Sequence, residues 1–163
     1  RIRFHTIAMG DTVCGLDGVT VRCVWPPDDL DSTGTADQWR NHRSLCFRVE
    51  WGNTTVFISS NIDSLSCDRL SVMYGHRLAS DALVVPHHGS AGSASALFFG
   101  YVRPQTAIIS CAGPPNPYGH PSPRIIDLLL QTGSSVLKTY EMGTIKGRSN
   151  GEYWEWSGTG TGN

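Results

Sequence analysis

The chain has 163 residues, of which 39% are hydrophobic and 17% are charged. This length and apolar fraction fit one domain with a buried core, and they exclude a chain that is disordered throughout. The formal net charge of -1 excludes a general attraction to nucleic acid, so a polyanion would have to be held by local basic groups or bound metal. The five cysteines are never spaced as CxxC, which argues against a thiolate zinc site.

The start of the chain carries no targeting signal. No apolar run reaches the roughly 20 residues needed to span a bilayer, and no signal-peptide pattern precedes the first strand. The sequence begins at Arg1 without methionine. We therefore expect a soluble segment whose N-terminal neighbour is missing.

The first part of the chain predicts two β-hairpins. Asp17-Gly18 is a turn signal before the strand pattern of residues 19–25, and Gly52-Asn53 separates the patterns of residues 44–51 and 54–59. Between the hairpins, the polar composition of residues 31–38 is typical of a surface loop.

From residue 54 onward, the order strand, polar turn, helix occurs three times. Strands are predicted at 54–59, 83–85 and 106–110, and helices at 65–74, 94–102 and 123–133. A further strand at 135–139 and a closing hairpin of 143–146 with 152–156 follow. The sequence therefore predicts one α/β domain over residues 1–156 with a mixed sheet, and a flexible Gly/Thr tail over 157–163.

Each of the three strand-to-helix turns carries a polar cluster. If the three strands are neighbours, the clusters meet at one edge of the sheet. Histidine and carboxylate side chains hold Zn²⁺, Mn²⁺ or Mg²⁺ while leaving room for an activated water, as hydrolases require. The alternative is that a histidine pair after a strand only hydrogen-bonds a loop. The clusters are Ser60-Asn61-Asp63, His87-His88-Ser90 and Asn116-Tyr118-His120.

Five motifs in consistent order, over about residues 15–156, resemble the later half of a metallo-β-lactamase-fold domain. The resemblance is strongest to the C-terminal domain of ComEC-type competence proteins, which are membrane channels for DNA uptake. It implies that the chain is part of a four-layer αββα sandwich, with a mixed sheet and helices packed on one side of it. The motifs are Asn41-x-Arg43-Ser44-Leu45, residues 58–63, residues 81–90, residues 107–110 and residues 116–121.

The resemblance implies a divalent metal, Zn, Mn or Mg, which this chain could also have lost. Asn61 occupies the position of a metal-bridging aspartate of the family, and Asp63 could replace it or cap the following helix. His87 and His88 match the histidine pair of the family, and His120 matches a late histidine expected to bind metal or phosphate. The implied metal ligands are therefore Asn61, Asp63, His88 and His120.

The same resemblance implies a nuclease that degrades the DNA strand that is not imported. His87 or His88 is the candidate proton donor. Ser90, with the backbone at Gly89, could hold a phosphate oxygen, and Asn116 and Tyr118 are candidate substrate contacts. Asp81 is expected to orient one of the histidines.

Two features depart from the family pattern. The family's early His-x-(His/Asp)-x-Asp-His cluster is absent, and His5 and His42 are interpreted as ordinary polar surface or loop residues. Asn61 brings no charge, so it cannot bridge two divalent cations as a carboxylate does. A non-catalytic domain that binds DNA or a partner, and a soluble metallo-hydrolase of the same fold, therefore remain as alternatives to the nuclease.

The expected partners are single-stranded DNA or another phosphodiester, the membrane channel of the same protein and the missing N-terminal half of the domain. The expected location is a soluble domain tethered to the outer face of the bacterial inner membrane. Because one of the two sheets is then incomplete, we expect these residues alone to be marginally stable or to associate.

Overall fold

A computed structural model describes residues 6–30, 35 and 40–160, with no side-chain description for residues 14–16. The predicted surface loop at 31–38 lies outside the described residues except for Thr35, as do His5 and the last three residues of the predicted tail. Within the described part of the chain, no helix is long and apolar enough to cross a membrane.

Seven strands form one mixed sheet in sequence order. The first four are antiparallel neighbours, and the fourth to the seventh are parallel neighbours. Gly18 and Gly52 have positive φ angles of 74° and 56° in the two predicted hairpin turns, a conformation that glycine adopts without steric cost. The strands are β1 (Thr12–Leu16), β2 (Val19–Trp25), β3 (Cys46–Trp51), β4 (Thr54–Ile58), β5 (Ala82–Val84), β6 (Thr106–Ile109) and β7 (Ser135–Lys138).

One helix connects each pair of parallel strands. These are α1 (Ser64–Tyr74), α2 (Ala96–Val102) and α3 (Pro123–Gln131), and α4 (Thr139–Met142) follows β7. Because the strand order does not reverse and crossovers are right-handed, all three connecting helices are expected on the same face of the sheet. Their side chains pack in one buried cluster with Phe57, Leu83 and Ala107, which are cross-strand partners on that face. The predicted α/β class and mixed sheet with helices on one side are confirmed.

The opposite face of the sheet, here called the open face, is covered by none of these three helices. Its cross-strand partners are apolar and mostly half-buried, and Val13 and Trp51 are 42% and 38% exposed. Two rows of cross-strand neighbours run across this face. One consists of Val13, Val21, Val49 and Val56, and the other of Phe47, Ile58, Val84 and Ile108.

The predicted closing hairpin is present as β8 (Ile145–Ser149) and β9 (Trp154–Gly158). Asn53 donates a backbone hydrogen bond to the Gly151 carbonyl at 2.7 Å, which joins the hairpin to the β3–β4 turn. The flexible tail predicted from residue 157 was placed too early. Residues 157 and 158 belong to β9, and Gly160 donates to the Met142 carbonyl at 2.6 Å.

Candidate active site

The loops that follow β4, β5 and β6 meet around one cavity of about 560 Å³, here called the histidine cavity. Parallel strands end at the same edge of a sheet, so residues far apart in sequence are brought together there. The cavity receives side chains from all three predicted polar clusters. Those predicted site residues that line it are Asn61, His87, His88, Asn116, Tyr118 and His120.

The loop after β4 places Asn61 in the cavity wall. Ser60 has a φ of 46°, which is uncommon for a residue other than glycine, and its hydroxyl donates to the Leu45 carbonyl at 2.7 Å. Its own carbonyl accepts a hydrogen bond from the backbone N–H of His87 at 2.9 Å. The tight turns after β4 and β5 are therefore joined directly.

The loop after β5 contains three consecutive residues in the left-handed region. His87, His88 and Gly89 have φ angles of 51°, 56° and 79°. Left-handed residues other than glycine concentrate at functional sites, where the surrounding structure offsets their strain. A Cβ on Gly89 would lie 3.0 Å from Cβ of Pro121, in addition to the unfavourable φ. Glycine therefore allows the β5 and β6 loops to approach each other.

His120 is positioned by the amide side chain of Asn116. Nδ2 of Asn116 donates to the carbonyls of Ala112 and His120 at 3.0 and 2.5 Å, and its Oδ1 accepts from the backbone N–H groups of Tyr118 and His120 at 3.1 and 3.2 Å. Asn116 thus lines the cavity, but its polar atoms hold the loop. Asn116 therefore has a positioning role in its loop, and its contact with substrate stays a prediction. Tyr118 is 78% exposed, and its ring lies 6.0 Å from that of His120.

His87 and His120 face each other across the cavity, with ring centroids 6.0 Å apart. Nδ1 of each is buried and has no hydrogen-bond partner among the described residues. Burial lowers the pKa of His87, and the neighbouring His120 and His88 lower it further, while Asp63 opposes them. The neutral imidazole of His87 is therefore favoured, with a nitrogen able to accept a proton or bind a cation.

His88 is exposed and anchored at one nitrogen. Its Nδ1 lies 2.7 Å from the carbonyl oxygen of Ser110, the residue that follows β6. A carbonyl can only accept, so Nδ1 must carry the proton, and the neutral ring then has a free lone pair on Nε2. Nε2 of His88 is thereby left free to accept a hydrogen bond or to bind a cation.

Ser90 and Asp81 are predicted site residues that lie away from the cavity. Ser90 does not line the cavity. Its hydroxyl accepts from the Gly92 N–H at 3.2 Å, at the start of a 3-10 turn. Asp81 precedes β5, whereas the histidines follow it, so the two lie at opposite ends of the strand. The Asp81 carboxylate accepts from the N–H and the hydroxyl of Thr55 at 2.7 and 3.0 Å. The prediction that Asp81 orients a histidine is therefore wrong, and Ser90 contributes no side chain to the cavity.

Asp63 caps α1, as one of its two predicted roles allowed. Its Oδ1 accepts from the Ser66 N–H at 3.0 Å, and its Oδ2 lies 2.7 Å from Nε2 of His42. Both carboxylate oxygens of Asp63 are thus engaged, and Asp63 does not line the cavity. Neither oxygen is therefore directed at a metal ion in the cavity. His42, interpreted as an ordinary polar surface or loop residue, has a side chain that is 17% exposed and is paired with Asp63.

Cys111 is a cavity residue that sequence reasoning did not single out. It follows β6 and lines the cavity, and its N–H and carbonyl both bond to the hydroxyl of Thr139, at 3.0 Å each. Burial raises the pKa of the Cys111 thiol, so the neutral form is favoured at neutral pH. Its only sequence signal is a position directly after a predicted strand.

The residues in the cavity do not fit a complete divalent metal centre. Among the described residues, no three or more His, Cys, Asp or Glu side chains are grouped so that they could hold a metal ion. Asn61 and the three histidines offer neutral ligands, and no carboxylate lines the cavity to balance the charge of the ion. Imidazoles with free nitrogens are nevertheless the ligand type that zinc and manganese accept.

Two curated proteins are similar to this chain in sequence. Over 109 residues it is 33% identical to ComE operon protein 3 from Bacillus subtilis (strain 168), a match that covers 67% of this chain and 14% of that protein. Over 106 residues it is 31% identical to the competence protein ComA from Neisseria gonorrhoeae, covering 65% of this chain and 15% of that protein. The match therefore spans about a seventh of the length of these relatives.

The fold is shared with a solved structure. A protein described as a metal-dependent hydrolase from Parabacteroides distasonis superposes with a TM-score of 0.50 at 13% identity, covering 85% of this chain and 58% of that one. No family model matches the chain. The similarity to two competence proteins, with the fold of a metal-dependent hydrolase, identifies the chain as a ComEC-like domain with the metallo-β-lactamase fold.

Proposed function

We propose that the chain belongs to a phosphodiester hydrolase of nuclease type in a DNA-uptake protein, acting on the DNA strand that is not imported. The observation that carries this proposal is the convergence of His87, His88 and His120 on one cavity at the carboxyl ends of parallel strands. The similarity to competence proteins supports DNA as the substrate, and the shared fold supports hydrolysis.

The chain's own groups can transfer protons in such a reaction. His87 is held neutral by burial and by its histidine neighbours, so it can accept a proton from an attacking water at neutral pH. His88 is fixed through Nδ1 on Ser110 with Nε2 free, which suits proton transfer to the leaving oxygen after the ring has been protonated. The exposed ring of Tyr118 offers a surface on which a base can stack.

The open face supports the proposal that further structure packs on this sheet. A face of paired valines and aromatic residues is typical of an interface between two sheets. We propose that a second sheet covers it, which would be the N-terminal half of the domain. That half would also supply the carboxylate ligands that the histidine cavity lacks. A membrane channel of the same protein, with this domain tethered on the outer side, completes the proposed arrangement.

The test compares the whole protein carrying these residues with its Asn61→Asp, His87→Gln and His76→Gln variants. Cleavage of a fluorescent single-stranded oligonucleotide is followed with Mn²⁺, Zn²⁺ or Mg²⁺, and binding of the same ions is measured by calorimetry. His87→Gln should reduce cleavage by about a hundredfold, whereas His76→Gln, an exposed histidine outside the cavity, should not. Asn61→Asp should tighten metal binding by roughly tenfold. No cleavage with any of the three ions would refute the hydrolase.

The second candidate is a domain of the same fold that holds DNA or a partner without cleaving it. It is favoured by the absence of any carboxylate among the residues that line the histidine cavity. This candidate predicts that single-stranded DNA binds equally well with and without a metal chelator. It also predicts that neither the unchanged protein nor any of the variants cleaves the oligonucleotide. Fluorescence anisotropy with and without the chelator separates the two candidates.

A further inference from the structure

We propose that a second cavity, remote from the histidines, binds a phosphate group, either free or esterified. This arginine cavity has a volume of about 350 Å³. It lies on the helix-covered side of the antiparallel part of the sheet, next to the 3-10 turn Gly75–Leu78 that follows α1. The residues that argue for the ligand are Arg22, Arg48, Glu50, Tyr74, Arg77 and Leu78.

The fold brings three guanidinium groups to this cavity from different elements. Arg22 on β2 and Arg48 on β3 are direct cross-strand partners, so their side chains leave the same face of the sheet. Arg77 comes from the 3-10 turn that covers this face. Two like charges placed opposite each other on neighbouring strands are destabilising unless an anion lies near them.

The positive charge of the cavity is only partly balanced. Glu50 forms an ion pair with Arg48 and is the one acidic residue in the described lining. Arg77 donates to the neutral carbonyls of Tyr74 and Met73, at 3.4 and 3.1 Å. Within the described ranges, the Arg22 side chain has no ion pair. Three guanidinium groups and one carboxylate leave an excess of two positive charges.

Arg48 carries a donor that nothing in the described structure accepts. Its Nη2 donates to the Ala79 carbonyl at 3.2 Å, but Nε is buried and has no partner among the described residues. A buried donor without an acceptor costs free energy, and buried polar groups normally find one. Burial, and next the charge of Arg22, lower the pKa of Arg48, while the charge of Asp81 opposes them.

A phosphate group matches this arrangement better than a carboxylate does. Guanidinium groups bind oxyanions through paired N–H donors, and several of them can surround a tetrahedral group with three or four oxygens. The cavity is larger than one ion, and the Tyr74 ring and Leu78 supply an apolar wall. There is therefore room for an organic group to which the phosphate is esterified.

The test measures binding of inorganic phosphate, thymidine and thymidine 5′-monophosphate by calorimetry at low salt. Arg22→Gln and Arg77→Gln change exposed residues, so both variants are expected to fold. Each should weaken phosphate binding by about tenfold. Arg124→Gln, an exposed arginine on α3, and Lys146→Gln, an exposed lysine on β8, are the matched controls and should bind as the unchanged protein does.

In the NMR spectrum of the unchanged protein, the Arg48 Nε–H resonance should shift on addition of inorganic phosphate. Tighter binding of the monophosphate than of inorganic phosphate would assign an esterified ligand, and equal binding would assign free phosphate. Equal affinities in Arg22→Gln, Arg77→Gln and the controls, or no saturable binding of any phosphate, would overturn the proposal.

Discussion

His87 and His120 follow different strands, yet their ring centroids lie 6.0 Å apart, with the ring planes at 67°. Each presents a buried Nδ1 without a partner among the described residues. The neighbouring His120 opposes protonation of His87, which adds to the effect of burial on the pKa of His87. The cavity therefore favours the neutral form of His87, and the stability of the fold should respond to acid.

The first prediction concerns stability against pH. Since the pKa of His87 is lowered in the folded state, the unfolded chain binds more protons at mildly acidic pH. Stability is then fully present above the ordinary histidine pKa of about 6.5 and is lost as pH falls through the lowered value. The free energy of unfolding, measured by urea denaturation from pH 7.5 to pH 5, roughly the histidine range, should fall less steeply in His87→Gln than in the unchanged chain.

His76→Gln provides the matched control for this experiment, because His76 is exposed and its ring packs on Tyr101 outside the cavity. It should leave the slope of stability against pH unchanged. Equal slopes for His87→Gln and the unchanged chain would show that His87 does not carry the acid response.

The second prediction concerns Gly89, which lies where the β5 and β6 loops touch. An alanine there would adopt an unfavourable φ of 79°, and its Cβ would lie 3.3 Å from Cγ2 of Ile109 and 3.0 Å from Cβ of Pro121. Gly89→Ala should lower the free energy of unfolding by about 1–3 kcal/mol. Gly100→Ala, on α2 with nothing within 4 Å of the added carbon, should be neutral or stabilising by up to about 1 kcal/mol. Similar effects of the two substitutions would contradict the crowding at Gly89.

Hydrophobic alternation and turn residues were sufficient to predict the architecture. Asp17-Gly18 and Gly52-Asn53 both form the expected hairpin turns, and each predicted crossover helix is present. Polar clusters after successive parallel strands must share an edge, so the meeting of Asn61, His87 and His120 could also be predicted.

Pairings between side chains distant in sequence could not be predicted in the same way. Asp81 is close to the histidines in sequence, which favours a contact between them, but the extended strand β5 separates the two by its length. The pairing of His42 with Asp63 depends on the entry into β3 lying beside the start of α1, which no local pattern indicates. The sequence likewise does not indicate that the side-chain amide of Asn116 makes its hydrogen bonds within its own loop.

The third prediction separates the two contacts of Asp63. Asp63→Ala removes both the cap on the Ser66 N–H and the pair with His42, and should lower the free energy of unfolding by about 1–2 kcal/mol. Asp63→Asn keeps a good capping side chain and changes only the carboxylate that contacts His42, so it should cost less than about 1 kcal/mol. The free energy of unfolding is measured by chemical denaturation of both variants. A double-mutant cycle of Asp63→Asn, His42→Gln and the variant carrying both substitutions gives the coupling between the two side chains.

Ser95→Ala is the matched cap substitution for Asp63→Ala. The Ser95 hydroxyl accepts from the Phe98 N–H at 3.0 Å at the start of α2 and, like Asp63, makes a second side-chain contact, with Oδ1 of Asp68 at 2.5 Å. A loss of about 1 kcal/mol is expected there as well. If Asp63→Asn were as destabilising as Asp63→Ala, the pair with His42 and not the helix cap would be the main contribution of Asp63.

The fourth prediction concerns the open face. Val21 and Val49 are direct partners across β2 and β3 on this face, and both are only half-buried. A continuous apolar sheet surface favours association because burying it releases water from apolar area. The 163-residue chain should therefore associate as its concentration rises, which sedimentation velocity would detect. Val21→Thr combined with Val49→Thr should shift the distribution toward the monomer, because each threonine places a hydroxyl on the surface to be buried.

Val72→Thr is the control for the open-face substitutions, since Val72 is 80% exposed on α1, on the helix side of the sheet. It should leave the association unchanged. A monomer that unfolds cooperatively and shows no change with concentration would contradict the prediction. It would mean that the half-buried valines are sufficiently covered by their own neighbours, and the proposal of a second sheet on this face would lose its physical basis.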